Sequence, residues 1–119
     1  MGAVVLTPDG QIFGGAVLEN SNWTAGVCAE VAAITDANSN GHYELVSMAI
    51  ALDPKDFIDY KGLPPCGGCR QVISDCAQTY GRNIEVIIAN ADKSKVVVSS
   101  IEELLPGAFG PKHLPKAII

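Results

Sequence analysis

Pro65-Cys66-Gly67-Gly68-Cys69 and the earlier stretch Val27-Cys28-Ala29-Glu30 carry the most structural information in this chain. Together they supply three cysteine thiols and one carboxylate. A zinc ion held by three protein ligands keeps its fourth position free for chemistry, whereas a structural zinc ion is closed by a fourth ligand. The two stretches therefore predict an open zinc site with a carboxylate beside it.

The three cysteines fall where helices are expected to begin. Cys66 and Cys69 are spaced i, i+3, so both face the same side of a helix's first turn, and Cys28 opens another predicted helix. Two helix N-termini would offset the charge of three thiolates through their free N–H groups. Glu30 can reach this site only if Cys28 is the N-cap, because residues i and i+2 within a helix point to different sides. Arg70 is expected to donate charge-assisted hydrogen bonds to a sulfur.

Other side chains that could close or line the site are less well placed. Cys76 follows Cys69 by about two helical turns, or ~10 Å, and is expected to be a small buried residue. His42 and His113 lack ligand-like spacing and are expected in solvent-facing loops. Trp23 is expected either in the core or in a wall of the site. An isolated C-x-x-C would also fit structural zinc or redox chemistry, but neither requires Glu30.

Length and charge restrict the class of protein. The 119 residues suffice for one domain, which we predict to span 1–119. The net charge of -5 opposes nucleic-acid binding and favours a small, uncharged substrate. No apolar run reaches the roughly 18 residues of a membrane span, and the chain start lacks a signal-peptide pattern. We therefore predict a cytoplasmic protein without membrane contact. The mean hydropathy of +0.24 suggests apolar surface covered by a partner subunit.

Apolar runs and helix formers alternate along the chain in the order ββαβαββα, which predicts an α/β sandwich around a sheet of about five strands. The third strand is a near-continuous apolar run and is expected to be buried on both faces. The segment 53–64 is expected to be a loop long enough to carry function. We place strands at 2–7, 11–18, 45–52, 85–90 and 96–100, long helices at 28–38 and 66–80, and a short helix before residues 104–106.

Three stretches of this chain resemble the homotetrameric cytidine deaminase family, with blasticidin-S deaminase as a near relative. They are Val27-Cys28-Ala29-Glu30, Pro65-Cys66-Gly67-Gly68-Cys69-Arg70-Gln71-Val72 and Glu103-Leu104-Leu105-Pro106-Gly107-Ala108-Phe109. The resemblance implies an α/β/α sandwich with a mixed sheet, a homotetramer, and a Zn²⁺ site at the N-termini of two helices. It also implies hydrolytic removal of the 4-amino group from a cytosine-type nucleoside.

Individual roles follow from the same resemblance. It assigns the metal to Cys28, Cys66 and Cys69, proton transfer to Glu30, and support of the thiolates to Arg70. Phe109 corresponds to an aromatic residue that reaches the site of a neighbouring subunit and stacks on the base. The substrate-binding set that the resemblance implies consists of Val17, Glu19, Trp23, Ala29 and Phe109.

The chain departs from the family pattern in two places. The family's Asn-x-Glu-Asn stretch, which reads the ribose hydroxyls, is Val17-Leu18-Glu19-Asn20 here. A site that lacks one hydrogen-bonding partner for a ribose hydroxyl has a different preference among substrates. The alternative is therefore a deaminase of another aminopyrimidine or nucleoside analogue. The family's N-terminal helix has no counterpart before the first strand, either because it is missing or because the sequence starts after it. A non-catalytic, zinc-stabilised binding subunit is a third hypothesis, which Glu30 disfavours.

Overall fold

A computed structural model describes residues 1–52, 64–90 and 92–115 of the chain. Its strands and helices follow the predicted order ββαβαββα. The predicted functional loop at 53–64, which includes Phe57, lies almost entirely outside the described residues. In chain order the elements are β1 (Gly2–Leu6), β2 (Ile12–Ala16), α1 (Ala29–Ser39), β3 (Ser47–Leu52), α2 (Gly67–Tyr80), β4 (Glu85–Asn90), β5 (Val96–Ser100) and α3 (Ile101–Leu104), with short 3-10 turns at Trp23–Ala25 and Pro111–His113.

The five strands form one mixed sheet in the order β2-β1-β3-β4-β5, which confirms the predicted sheet. Only β3 and β4 are parallel, and α2 connects them, as a parallel pair requires a crossover. The chain opens with a hairpin of β1 and β2. Gly10 takes a φ of 88° in its turn, a conformation that glycine adopts at little cost. The turn at residues 8–10 joins the two predicted strands.

One face of the sheet carries the hydrophobic core. Val5, Met48 and Val86 lie side by side across β1, β3 and β4 and are buried. Helices α1 and α2 contact each other and add their apolar side chains to the same core cluster. Alternate residues of each strand face away from this core. Among them, Val4 and Val98 are exposed.

The third strand is buried on one face only, so the expectation of burial on both faces was wrong. Met48 and Ile50 are buried, whereas Ala51 is exposed and Ala49 partly so. The physical reason is that the long helices α1 and α2 cover a single face of the sheet.

Helix α1 lies unusually close to β2 because small residues meet at their contact. A Cβ atom added at Gly15 would lie 2.5 Å from the Cβ of Ala32 and 2.7 Å from the backbone nitrogen of Ala33. Glycine within a strand often marks such a close backbone approach. The backbone N–H of Gly14 also donates to the Asp36 carboxylate at 3.3 Å. These contacts fix the height of α1 above the sheet.

Candidate active site

Both helices that were predicted to carry ligands begin at a cysteine. Cys28 is the N-cap of α1, with φ -69° and ψ 149°, and Cys66 is the N-cap of α2, with φ -66° and ψ 167°. These extended conformations confirm the prediction that Cys28 precedes the helical backbone. Each N-cap carbonyl accepts the first helical hydrogen bond, from Ala32 N–H to Cys28 O at 3.0 Å and from Arg70 N–H to Cys66 O at 2.9 Å.

The three predicted ligands meet in space although they come from two helices. The sulfurs of Cys28, Cys66 and Cys69 lie within 4.8 Å of one another. Cys69 is buried, whereas Cys28 and Cys66 are exposed, so the cluster has a solvent-accessible side. Glu30, only 2% exposed, places its Oε2 3.5 Å from the Cys69 sulfur. Because Cys28 stands before the first helical turn, it and Glu30 reach the same point despite their spacing.

The donor set fits a zinc ion. Sulfurs that share one tetrahedral zinc at about 2.3 Å lie roughly 3.8 Å apart, and all three sulfurs here lie within 4.8 Å of one another. Thiolates are soft ligands that zinc prefers. Burial raises the pKa of the Cys69 thiol, and the neighbouring Cys28 thiol and the charge of Glu30 add to this effect. A divalent cation at the centre of the cluster would offset that cost by stabilising the thiolate form.

Backbone donors have the opposite effect on the pKa of Cys66, the N-cap of α2. The N–H group of Cys69 is the main reason why the pKa of the Cys66 thiol is lowered. This N–H belongs to the first turn of the helix, where backbone donors have no partner within the helix. A helix N-terminus thus stabilises the thiolate that a metal requires, as the sequence predicted.

Arg70 links the loop before α2 to the end of the short helix α3. Its Nε donates to the carbonyl of Pro65 at 2.7 Å, and its Nη1 donates to the carbonyl of Leu104 at 2.8 Å. These bonds hold the residue that precedes Cys66 in place. Arg70 therefore supports the turn that presents the cysteines, and its predicted hydrogen bond to a sulfur stays a prediction.

The stretch that replaces the family's ribose-reading motif lies next to the metal cluster. Leu18 pairs with Val27, through N–H to O bonds of 2.8 and 3.0 Å, and Val27 directly precedes Cys28. Glu19 and Val17 flank Leu18 and are exposed. The pairing therefore joins the stretch that holds both predicted substrate-binding residues to the segment that leads into Cys28, and their contact with substrate stays a prediction.

The two aromatic residues of the predicted substrate-binding set are solvent-exposed. Trp23 is 90% exposed, so it does not fill the core. Of its two expected roles, the one in a wall of the site stays a prediction. Phe109 is 63% exposed and stacks on the ring of His113, with centroids 5.3 Å apart. Ala29 is buried in the first turn of α1, where its backbone N–H points out of the helix end.

Two other sequence expectations have different outcomes. His42 is only partly exposed, because its ring packs against Phe13 with centroids 5.1 Å apart. The expectation of a fully solvent-facing side chain was therefore wrong for His42. Cys76 is partly buried against the core, and burial raises its pKa, in agreement with the expected packing role. The close approach at Gly15 was not predicted, although a pair of glycines within a strand could have indicated it.

Comparisons with known proteins agree with this geometry. The family described as the cytidine and deoxycytidylate deaminase zinc-binding region matches residues 1–80. The cytidine deaminase of Halalkalibacterium halodurans is 36% identical over 111 residues, which cover 92% of this chain and 76% of that protein. The blasticidin-S deaminase of Bacillus cereus is 34% identical over 109 residues, covering 89% of this chain and 74% of that protein.

The solved structures give the same result. The crystal structure of cytidine deaminase from Burkholderia pseudomallei superposes with a TM-score of 0.75 at 31% identity, covering 91% of this chain and 80% of that one. The fold and the three-sulfur cluster with its buried carboxylate, together with these likenesses, define a zinc-dependent deaminase. The chain belongs to the cytidine and deoxycytidylate deaminase family. No helix in the described part of the chain is long and apolar enough to cross a membrane.

Proposed function

We propose that this chain hydrolyses the 4-amino group of cytidine and deoxycytidine, producing uridine or deoxyuridine and ammonia. The observation that carries the proposal is the buried Glu30 carboxylate, 3.5 Å from a sulfur of the three-cysteine cluster. A structural metal site does not require a buried carboxylate beside its ligands, and burying one costs desolvation free energy. A hydrolytic site needs one, because a proton must be moved from water to the leaving group.

Cys28, Cys66 and Cys69 would hold the metal. Bound there, Zn²⁺ supplies Lewis acidity, which lowers the pKa of a water molecule toward neutrality. Glu30 accepts a proton as the water oxygen forms its bond to C4 of the ring. The same carboxylic acid then donates a proton to the 4-amino nitrogen, so that the C4–N bond breaks and ammonia leaves. Glu30 thus begins and ends the reaction as a carboxylate.

The remaining residues bind and orient the nucleoside. The backbone N–H of Ala29 is free to donate to a ring carbonyl, since it lies in the first turn of α1. Glu19 accepts hydrogen bonds from the sugar hydroxyls, and Val17 and Trp23 supply apolar contact beside it. Arg70 supports the thiolates through the turn that it holds. Phe109 stacks on the base from a neighbouring subunit.

The shared aromatic requires a homo-oligomer, which we propose to be a tetramer. The exposure of Phe109, Trp23 and Val98 supports it, because a monomer would leave these apolar side chains in water. We further propose that residues 1–119 form a single domain and that the protein works in the cytoplasm, without nucleic-acid partners. The net charge of -5 supports the last point.

A second candidate substrate is another aminopyrimidine or nucleoside analogue of the blasticidin-S type. Val17 favours it, because an exposed apolar side chain stands beside Glu19 where the family pattern has an amide. A site that loses a hydrogen-bonding partner for a hydroxyl loses much of its preference for the hydroxyl-bearing substrate. The likeness to blasticidin-S deaminase supports the same alternative.

The test is a substrate panel followed by ultraviolet absorbance and ammonia release, with zinc-loaded protein. Cytidine, deoxycytidine, cytosine and blasticidin S are compared for wild type and for Val17→Asn. We expect turnover of cytidine, and we expect Val17→Asn to raise kcat/KM for cytidine relative to cytosine by about tenfold, the value of one added hydrogen bond. Turnover of blasticidin S without turnover of cytidine would establish the second candidate instead, and inactivity on the whole panel would contradict both.

A further inference from the structure

Helix α2 holds the backbone on both sides of Phe109. Gln71 and Gln78 are two helical turns apart and lie on the same side of α2. The Gln71 amide donates to the Phe109 carbonyl at 2.8 Å. The Gln78 amide donates to the Ala108 carbonyl at 3.2 Å, and its oxygen accepts from the Lys112 N–H at 3.3 Å. We refer to these two side chains, Gln71 and Gln78, as the glutamine clamp.

The backbone under the aromatic ring is packed against this clamp. Gly110 is buried, and a Cβ atom there would lie 2.4 Å from the Gln78 Oε1 and 2.8 Å from its Cδ. The Gly110 N–H donates to Nδ1 of His113 at 3.1 Å, and the His113 ring stacks on Phe109 at an interplanar angle of 11°. The segment is therefore fixed by side chains of α2 and by its own turn.

The ring of Phe109 itself remains exposed although its backbone is held at several points. A phenylalanine that served only the stability of its own subunit would gain by turning into the core. Instead, the hydrogen bonds of the clamp fix its backbone and leave the ring projecting into solvent. The helix that carries the clamp begins at Cys66, so the segment that holds the ring is attached to the same rigid element that presents two of the predicted metal ligands.

We propose that Gln71 and Gln78 are positioning residues, which hold Phe109 in the orientation that stacks on a base bound by the neighbouring subunit. This inference rests on the proposed function and adds residues that act through Phe109 without touching substrate. Pre-organised contacts lower the entropy lost on binding, so the clamp acts on substrate affinity. Removing it raises KM and leaves the proton chemistry of Glu30 unchanged.

The first test is Gln78→Leu, which keeps the approximate size of the side chain against Gly110. It removes the hydrogen bonds to the Ala108 carbonyl and the Lys112 N–H, together with a longer one to the Ser74 hydroxyl. We expect KM for cytidine to rise about tenfold with kcat changed by less than about twofold, since each neutral hydrogen bond contributes roughly a factor of two to ten. Thr79→Val is the matched control, because its hydroxyl donates to Asp75 within the same helix. Its KM should equal that of wild type.

A second variant tests the clamp independently, so that the proposal can still be judged if Gln78→Leu does not fold. Gly110→Ala reaches the clamp from the other side, because the added methyl group would displace the Gln78 amide. It should give the same rise in KM. In the Phe109→Ala background, Gln78→Leu should produce no further rise, because the clamp then has no ring to position. A wild-type KM for folded Gln78→Leu or Gly110→Ala, or additive effects in the double variant, would overturn the proposal.

Subunit mixing separates a positioning role from a merely structural one. Gln78→Leu protomers are co-assembled with Glu30→Gln protomers, which lack the proton shuttle but retain an intact clamp. We expect part of the activity to return to the wild-type KM, because the active sites now receive Phe109 from the Glu30→Gln subunits. A Phe109→Ala and Glu30→Gln mixture serves as the reference.

The mixing experiment also distinguishes the glutamine clamp from the shared active site on which it depends. Rescue of Phe109→Ala without rescue of Gln78→Leu would overturn the clamp and leave the shared site intact. Failure to rescue either variant would overturn the shared site and the clamp with it. Absence of cytidine turnover in wild type would instead count against the proposed function itself.

Discussion

The side chain that defines the chemistry is a carboxylate almost fully removed from water. Glu30 is 2% exposed and lies in the first turn of α1. Burying a carboxylate costs several kcal/mol unless it finds compensation. The N-terminus of α1 supplies part of it, because the helix dipole favours negative charge there. A metal at the adjacent cluster would supply more, so the location of Glu30 depends on the same features that hold the cysteines.

Glu30→Gln should abolish proton transfer and leave the site assembled. The amide has the shape of the carboxylate but does not accept and return a proton, so we expect kcat to fall by a factor on the order of 10²–10⁴. Zinc content, measured by mass spectrometry, should stay at the wild-type level. Glu102→Gln, at an exposed carboxylate of α3, is the control and should retain full activity. Undiminished turnover by Glu30→Gln would contradict the assigned role.

The helices bring the site together because of how closely they pack on the sheet. Helix α1 contacts β2 and β1, whereas α2 connects β3 to β4. Cys28 and Glu30 thus depend on the height of α1, which the missing side chain at Gly15 permits. A larger residue there would lift the N-terminus of α1 away from α2. Small residues in this contact are therefore part of what positions the cluster.

Gly15→Ala should destabilise the fold and disturb the site together. The added methyl group would lie 2.5 Å from the Cβ of Ala32 and close to helix backbone, so it cannot be accommodated by a side-chain rotation. We expect the free energy of unfolding in urea to fall by about 1–3 kcal/mol, the usual cost of overpacking. Gly2→Ala is the matched control on β1. Its Cβ would meet only the Gly15 carbonyl at 3.7 Å, so a change within about 0.5 kcal/mol is expected. Equal stabilities of the two variants would contradict the close-approach argument.

For the molecule as a whole, the metal cluster joins two helices that rest on different parts of the sheet. Apart from the shared core, α1 and α2 meet at their N-termini, where the three sulfurs converge. The outer face of the sheet, by contrast, leaves Val4, Ile12 and Val98 exposed. The two helices that carry the metal cluster thus lie on one face of the sheet, and the other face exposes apolar side chains. This exposed apolar face supports the proposed assembly.

Removal of zinc should lower the thermal stability of the whole domain. A ligand that binds only the folded state at about one hundred times its Kd stabilises it by about 2.7 kcal/mol, or a Tm shift on the order of 10 °C. Chelation should therefore lower the Tm of wild type, and zinc should restore it. Cys69→Ser should show the low Tm with and without zinc, whereas Cys76→Ser should respond to zinc as wild type does. An identical zinc response of Cys69→Ser and wild type would contradict the ligand assignment.

Much of the site was predictable because it depends on residues that are close together in the sequence. The N-cap position of Cys28 followed from the spacing of Cys28 and Glu30, and the structure confirms it. The predicted element order is also confirmed. The burial of β3 on both faces was not, because an apolar run does not reveal which faces other elements will cover. The packing of His42 on Phe13 likewise depends on the path of a loop.

Short stretches of sequence were enough to indicate the chemistry, because they contain the residue types at Cys28, Glu30, Cys66 and Cys69 and the helix starts that present them. How these stretches meet, and what surrounds them, became known from the folded chain alone. The convergence of the sulfurs, the approach of α1 at Gly15 and the hold of α2 on the Phe109 segment all join residues far apart in the chain. The physical reason is that local propensity acts within a few residues, whereas close packing and hydrogen bonding between elements exist only once the sheet and helices are assembled.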